Sequence, residues 1–134
     1  MSVSLKGDLR TEFAIDDQPS GLGWMPDGSM LIVSMMKRQL LRRTPDGHIS
    51  VHADLNEVAS FHRNDMVVGT DGRAFVGNFG LDLFAERAAG HIVGALAAHE
   101  TAQLACILPE GVVSVAAATC TCPMARSLHR MAFA

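Results

Sequence analysis

The sequence has no excess of basic residues. Its 134 residues include 11 Lys and Arg against 14 Asp and Glu, and the net charge is −3. Nucleic-acid-binding surfaces need clustered positive charge to pair with phosphates, so a nucleic-acid partner is not expected. No apolar run reaches the roughly 18 residues that a membrane-spanning helix requires. Residues 1–8 also lack the basic-then-apolar pattern of a signal peptide. The sequence therefore predicts a cytoplasmic protein with no membrane partner.

Cysteine is also scarce. An odd number of cysteines, Cys106, Cys120 and Cys122, leaves at least one thiol unpaired, so a disulfide framework is not expected. Cys120 and Cys122 have no second cysteine or histidine pair at the spacing of a zinc site. The cysteines therefore predict neither a disulfide-stabilised fold nor a structural zinc site.

The chain instead has short apolar runs separated by turns. Hydrophobic residues make up 49 % of it, enough for the core of one domain. Turn motifs recur at residues 26–28 and 45–47 (Pro-Asp-Gly), 70–72 (Thr-Asp-Gly) and 109–111 (Pro-Glu-Gly). Proline presets φ in such turns, and glycine accepts a positive φ. Short strands between repeated turns predict an all-β meander, and the repetition favours propeller blades over a sandwich.

Apolar patterning predicts where the strands lie. Strands are expected at residues 11–15, 22–25, 30–35, 39–43, 48–52, 65–69, 73–79, 103–108 and 112–116. The run at 30–35 is continuously apolar, so it should be buried on both faces, whereas 48–52 alternates as an edge strand does. Trp24 is predicted to lie in the core rather than to form a platform for a ligand. Residues 86–99 are compatible with helix or loop.

The most informative stretch is residues 60–80, which predict a strand, a tight turn and a second strand. Asp71 and Gly72 are expected to form a two-residue hairpin turn. Four consecutive polar residues, His62 to Asp65, precede the first of these strands. Polar side chains at the entrance to a buried strand point to a functional site.

Three segments together resemble the senescence-marker-protein/gluconolactonase/regucalcin-like superfamily. They are residues 20–28 (Ser-Gly-Leu-Gly-Trp before Pro-Asp-Gly), 64–68 (Asn-Asp-Met-Val-Val) and 72–80 (Gly-Arg-Ala-Phe-Val-Gly-Asn-Phe-Gly). The resemblance implies a six-bladed β-propeller with one divalent metal, usually calcium, in a central channel, and hydrolysis of lactones. This chain is long enough for about two to three blades, so the predicted fold is an all-β, partial β-propeller over residues 1–117.

The resemblance also implies which residues form the site. Asn64 matches an asparagine near both metal and substrate, and is the candidate for metal and substrate binding. Ser20 stands where the family usually has a metal-binding glutamate. His62 occupies the position of an arginine that often holds substrate, which makes it the second substrate-binding candidate.

Each candidate also has a plainer interpretation. Asn64 could cap a strand through local backbone bonds, and His62 could be an exposed loop histidine. Asp65 is a weak candidate for a catalytic base and could instead bond turn amides. One asparagine cannot supply the six or more oxygens that calcium takes. Binding of calcium or another divalent metal is therefore expected to be weak or absent in this chain.

A basic cluster is interpreted as structural. It comprises Lys37, Arg38, Arg42 and Arg43. A solvated hairpin edge that discourages pairing with other sheets is favoured over an anion site.

Residues 118–134 fit no clean strand or helix pattern. A displaced reading frame from Ala118 can spell a Pro-Asn-Gly motif followed by an Asp-Gly turn, with glycines forced where Met124 and Met131 precede alanine. The hypothesis is that this segment is an aberrant tail, produced by a frameshift or truncation.

These observations predict a truncated member of a metal-dependent lactone hydrolase family, acting on carboxylic esters and inactive as an isolated chain. Its partner would be a small-molecule lactone. The alternative is a non-catalytic, strictosidine-synthase-like β-propeller binding module, in which serine at position 20 is tolerated because no metal is needed.

Overall fold

The structure is a computed structural model that describes residues 1–58, 61–91, 93–95 and 102–120, without the side chains of residues 118–120. The strands are β1 (Ser2–Val3), β2 (Leu9–Arg10), β3 (Pro19–Trp24), β4 (Met30–Ser34), β5 (Gln39–Arg43), β6 (Ile49–Asp54), β7 (Arg63–Val68), β8 (Ala74–Asn78), β9 (Ala102–Ile107) and β10 (Val113–Cys120). Helix α1 (Leu83–Ala88) lies between β8 and β9. Asp82 caps it by accepting a hydrogen bond from the Ala85 N–H at 3.0 Å.

The long strands form two four-stranded antiparallel sheets. The first has the order β3-β4-β5-β6, and the second contains β7, β8, β9 and β10 in the same stepwise order. Strands that are consecutive in sequence are therefore neighbours in each sheet, which is the topology of a propeller blade. β6 lies at the edge of its sheet, as its alternating pattern predicts.

The four turn motifs share one geometry, which corrects the two-residue turn expected at Asp71 and Gly72. The Gly72 N–H donates to the Gly69 carbonyl at 3.0 Å, and the Gly69 N–H donates to the Arg73 carbonyl at 2.8 Å. The loop therefore has three residues, with Gly72 at φ 81° in its last position. The equivalent pair of bonds closes the turns at 25–29, 44–48 and 108–112. Glycine ends each motif because that position requires a positive φ.

The core lies between the two sheets. Leu31, Val33 and Leu40 of the first sheet belong to one buried cluster with Val76 and Ile107 of the second. Leu31 and Val33 are 0 % exposed, and so is Ile32 on the opposite face of β4, which confirms that this strand is buried on both faces. Full burial of one such side chain contributes about 1.5–3 kcal/mol, so the junction between the sheets stabilises both.

Two glycines allow the first strands of the sheets to touch. A Cβ on Gly21 would lie 2.9 Å from both the Asn64 carbonyl oxygen and the Met66 backbone nitrogen. A Cβ on Gly23 would lie 2.5 Å from Val68 Cγ2. β3 and β7 therefore pack at a distance that only glycine on β3 permits.

Two sequence expectations are wrong. Residues 11–15 form no strand, and Phe13 instead lies beneath the Arg43 guanidinium, 5.1 Å from its carbon to the ring centroid. Trp24 is 59 % exposed instead of buried. The physical reason is strand alternation: Gly21 and Gly23 face the second sheet, so Leu22 and Trp24 point to the opposite face.

The remaining expected strands are present, with boundaries shifted by a few residues. The region 86–99 contains the end of α1, while residues 96–99 lie outside the described residues. The proposed tail at 118–134 also lies mostly outside them; β10 continues to Cys120. The division at residue 117 and the frameshift hypothesis stay predictions.

Lowering the pH should weaken the junction between the sheets through His52. Burial and the charge of Arg42 lower the pKa of this β6 histidine, although a hydrogen bond to the Leu108 carbonyl opposes the shift. The pKa of His52 is about 6.5 in the unfolded chain and lower in the folded chain. Between these two pKa values the unfolded chain binds more protons than the folded chain, so the free energy of unfolding falls as the pH drops through that window. Urea midpoints at pH 7.5 and 5.5 should fall further for the unmodified chain than for His52→Gln. His48→Gln, at an exposed position, is the control, and an equal fall in all three proteins contradicts the prediction.

Candidate functional site

The candidate residues gather at one end of the two sheets. The four glycine turns lie at the other end, where a Cβ on Gly72 would be 3.2 Å from Pro109 Cγ and 3.4 Å from Pro26 Cδ. Because strands in a meander alternate in direction, the entrances to β3 and β7 and the β4–β5 loop share the end away from these turns. Ser20, His62 and Asn64 all lie at this end, which we call the site end.

Ser20 and Asn64 are in direct contact. The Ser20 hydroxyl donates to the Asn64 backbone carbonyl at 2.8 Å, bridging β3 and β7. Both residues are half-buried. The two positions that the resemblance assigns to metal binding are therefore adjacent, although 44 residues separate them in sequence.

His62 lies immediately before β7 and is half-buried, rather than an exposed loop histidine. Its ring contacts the Phe84 ring of α1 edge to face, with 5.3 Å between centroids and an interplanar angle of 63°. Its Nδ1 atom is buried and has no hydrogen-bond partner among the described residues. His62 thus has a ring held by an aromatic contact and one nitrogen that is not used by the fold.

Arg63 is the residue at this end that sequence reasoning did not single out. It is 0 % exposed, and its guanidinium donates to the Val76 carbonyl of β8 and the Leu55 carbonyl after β6, each at 3.3 Å. Burial, with a smaller contribution from the charge of Arg38, lowers the pKa of Arg63 to about 10. The side chain therefore stays charged at neutral pH and ties the two sheets together. Its position within four consecutive polar residues was the available signal.

Asp65 and Asn78 have different roles. Asp65 is exposed on β7, and its role as a catalytic base stays a prediction. Asn78 is buried; its amide donates to the Gln103 carbonyl at 3.1 Å, and its oxygen accepts from the Gly80 N–H at 2.8 Å. Asn78 satisfies backbone groups at the end of β8 and is not free to bind a ligand.

The described residues do not by themselves fit a calcium site. Within the described ranges, no three His, Cys, Asp or Glu side chains lie close enough together to hold a metal ion. The Ser20 hydroxyl is engaged by the Asn64 carbonyl, and a serine oxygen carries no charge to replace a carboxylate. Ser20 and Asn64 offer only a few neutral oxygens, whereas calcium takes six to eight oxygen ligands.

Comparison with known proteins shows the fold. No protein-family model matches the chain, and no curated protein matches it. Virginiamycin B lyase from Staphylococcus aureus is similar in structure, with a TM-score of 0.55 and 15 % identity over 92 % of this chain and 35 % of that protein. The PQQ-bound aldose sugar dehydrogenase from Streptomyces coelicolor has a TM-score of 0.53 and 14 % identity over 80 % of this chain and 32 % of that protein.

A third solved structure is less similar. Regucalcin from Agrobacterium tumefaciens, described as a calcium-binding protein, has a TM-score of 0.49 and 16 % identity over 70 % of this chain and 28 % of that protein. The chain thus spans about a third of the length of the solved structures that it matches. These neighbours are β-propellers. The chain therefore has the fold of a partial β-propeller, with two four-stranded blades in its described residues.

Proposed function

We propose that this chain is part of a lactone hydrolase of the gluconolactonase-like class, and that these 134 residues alone do not turn over substrate. The observation that supports this proposal is the contact between Ser20 and Asn64 at the site end. Two segments that are far apart in sequence carry the resemblance, and they meet at one point on the first strands of adjacent blades. A shared site, rather than coincidental motifs, explains this adjacency.

The residues of this chain would contribute to substrate binding more than to the chemical step. Hydrolysis adds the oxygen of water to the lactone carbonyl, breaks the acyl C–O bond and leaves the ring oxygen as a hydroxyl group. His62 lines a cavity at the site end, so its imidazole can accept a hydrogen bond from a substrate hydroxyl or donate one. The Asn64 amide offers one donor and one acceptor group at the same end. A divalent metal would need most of its ligands from residues outside those described.

A non-catalytic binding module is the second candidate. It is favoured by Ser20, whose hydroxyl is used to join β3 to β7 instead of being left for a ligand. A binding module would bind lactone without hydrolysing it and would not respond to calcium. The same residues would line its site, so turnover is what separates the two functions.

The test begins with the gene. DNA sequencing from the codon for residue 110 onward should show a displaced reading frame that encodes further propeller blades. The restored chain, translated in that frame, should hydrolyse aldonolactones when calcium is added. Asn64→Ala in that chain removes an amide proposed to bind substrate, so it should lower kcat/KM about 10- to 100-fold. This loss corresponds to about 1.4–2.8 kcal/mol of transition-state stabilisation. The measurement is pH-stat titration of the released acid.

A control is Ser50→Ala, because Ser50 is exposed near the start of β6, next to the turn end. This variant should keep kcat/KM within about twofold of the unmodified chain. Lactone binding without turnover in the restored chain would instead support the binding module. Calcium-dependent turnover by the 134-residue chain itself would contradict the proposed inactivity.

The location of the protein stays a prediction. In the part of the chain that the structure describes, no helix has the length and apolarity to cross a bilayer. A cytoplasmic location and a small-molecule lactone partner are proposed on the sequence alone.

A further inference from the structure

The first two strands of each blade repeat with a constant spacing. β3 begins at residue 19 and β7 at residue 63, and β4 begins at residue 30 and β8 at residue 74. Both differences equal the 44 residues that separate Ser20 from Asn64. Each residue on β3 and β4 therefore has an equivalent on β7 and β8, and the equivalence shows which faces of the two blades correspond.

One face of the second blade packs on the first blade. The residues of this face that belong to the buried core or pack against it are Met66, Val68, Ala74, Val76, Ala105, Ile107 and Val113. The repeat and the strand register place the equivalent residues of the first blade on the side away from the second blade. We call this side the Trp24 face, and it carries Leu22, Trp24, Met30, Ile32, Leu41, Arg43, Ile49 and Val51.

The Trp24 face is apolar and partly exposed. Leu22 and Trp24 are 48 % and 59 % exposed, and Val51 is 55 % exposed. Phe13 contacts the same face at Arg43. Exposed apolar surface that is grouped on one face marks an interaction site rather than scattered surface residues.

The second blade carries a face of the complementary kind. In the junction within the chain, the first blade contributes Gly21, Gly23, Leu31 and Val33. Their equivalents lie on the side of the second blade that points away from the first, which we call the Phe75 face: Asp65, Val67, Phe75 and Gly77. Val67 and Phe75 are half-buried and Asp65 is exposed. One chain thus presents the two sides of a blade junction on opposite surfaces.

We propose that copies of this chain associate head to tail, with the Phe75 face of one copy against the Trp24 face of the next. This contact continues the junction that already joins the two blades within each copy. A head-to-tail contact forms a closed ring when its rotation closes, and propellers close with about 4–8 blades. Because the chain spans 35 % of the similar Staphylococcus aureus propeller, about three copies would complete one ring.

The contact between copies should be weaker than the junction within a copy. Asp65 and Val67 stand where Gly21 and Gly23 allow β3 and β7 to approach closely. Their side chains hold the facing strands farther apart, and the Asp65 carboxylate would lie opposite an apolar side chain. We therefore expect dissociation constants in the micromolar range.

Sedimentation of the 134-residue chain across micromolar concentrations tests the proposal without any lactone or metal. The chain should associate reversibly towards about three copies. Trp24→Asp and Val67→Asp place a carboxylate on one face each, so each variant should weaken association about tenfold or more. Circular dichroism checks that both fold. Asp65→Arg, at an exposed position on the Phe75 face, replaces Val67→Asp if that variant does not fold.

A mixture of the two variants tests the head-to-tail arrangement itself. Trp24→Asp keeps its Phe75 face and Val67→Asp keeps its Trp24 face, so the mixture should form a one-to-one pair that does not grow further. Leu5→Asp is the matched control, because Leu5 is exposed in the turn between β1 and β2. This variant should associate as the unmodified chain does.

A chain that stays monomeric at every concentration, or a mixture that forms no pair, would overturn the proposal. A dimer that Trp24→Asp disrupts and Val67→Asp leaves intact would show two Trp24 faces in contact, which also overturns it. Lactone hydrolysis is not measured in any of these experiments, so this proposal and the proposed function fail separately.

Discussion

Replacing Arg63 with alanine is expected to destabilise the protein by about 2–5 kcal/mol. The change would leave the Val76 and Leu55 carbonyls without their donors, at about 1–3 kcal/mol for each buried group. It would also open a cavity, because the residue is fully buried. Removing a desolvated charge offsets part of this loss. Small domains have only about 5–15 kcal/mol of stability, so the urea midpoint, followed by circular dichroism, should fall steeply.

Arg63→Met separates the cost of the unpaired carbonyls from the cost of the cavity. Methionine retains much of the side-chain volume and removes the charge, so it should cost less than alanine while still leaving both carbonyls unpaired. Arg73→Ala is the control, because that side chain is half exposed and its ion pair with Asp71 lies at the surface. A midpoint for Arg63→Ala equal to that of Arg73→Ala would show that the buried guanidinium does not join the blades.

Gly21→Ala should destabilise the junction between the blades by about 3 kcal/mol. The added methyl group would lie 2.9 Å from the Asn64 oxygen and the Met66 nitrogen, which are backbone atoms and cannot rotate away. Overpacking of a filled core typically costs about 1–3 kcal/mol, and a clash with backbone belongs at the upper end. The urea midpoint should drop, and the NMR signals of β3 and β7 should shift together.

Gly94→Ala is the matched control, since no heavy atom of the described residues lies within 4 Å of its Cβ position. It should change the midpoint little. Gly23→Ala provides an internal check, because its Cβ would meet a side-chain atom, Val68 Cγ2, at 2.5 Å. Combining it with Val68→Ala removes that atom, so the double variant should be more stable than the sum of the single effects predicts. Additive effects would contradict the close approach of β3 and β7.

Local sequence signals predicted the blades well. All four turn motifs end in a glycine with positive φ, and in three of them an aspartate side chain accepts a backbone N–H, so the hairpins depend on residues that are adjacent in sequence. The buried run of β4 and the edge pattern of β6 are likewise visible in the alternation of apolar residues. The loop length at Asp71 and Gly72 was misjudged, because the same dipeptide fits both a two-residue and a three-residue loop.

The errors concern contacts between distant segments. Whether Trp24 is buried depends on which face of β3 meets the second blade, and glycines, not apolar side chains, occupy that face. Residues 11–15 have the apolar content of a strand, but Phe13 packs beneath Arg43 instead of pairing with another strand. Hydrophobic patterning does not show which distant segment packs against a strand, so it could not predict the exposure of Trp24 or the absence of a strand at residues 11–15.

By itself, the sequence determined the all-β class, the hairpins, the repeated turns and the candidate residues Ser20, His62 and Asn64, because these follow from local backbone preferences and motifs. Only the tertiary structure decided that Ser20 touches Asn64, that Arg63 is buried across the blade junction, and that Arg38 and His62 face one cavity. These features depend on the packing of two sheets, whose contacts join residues far apart in the chain. Local backbone propensity carries no information about such pairs; the packing of β3 against β7 is what brings the distant residues together.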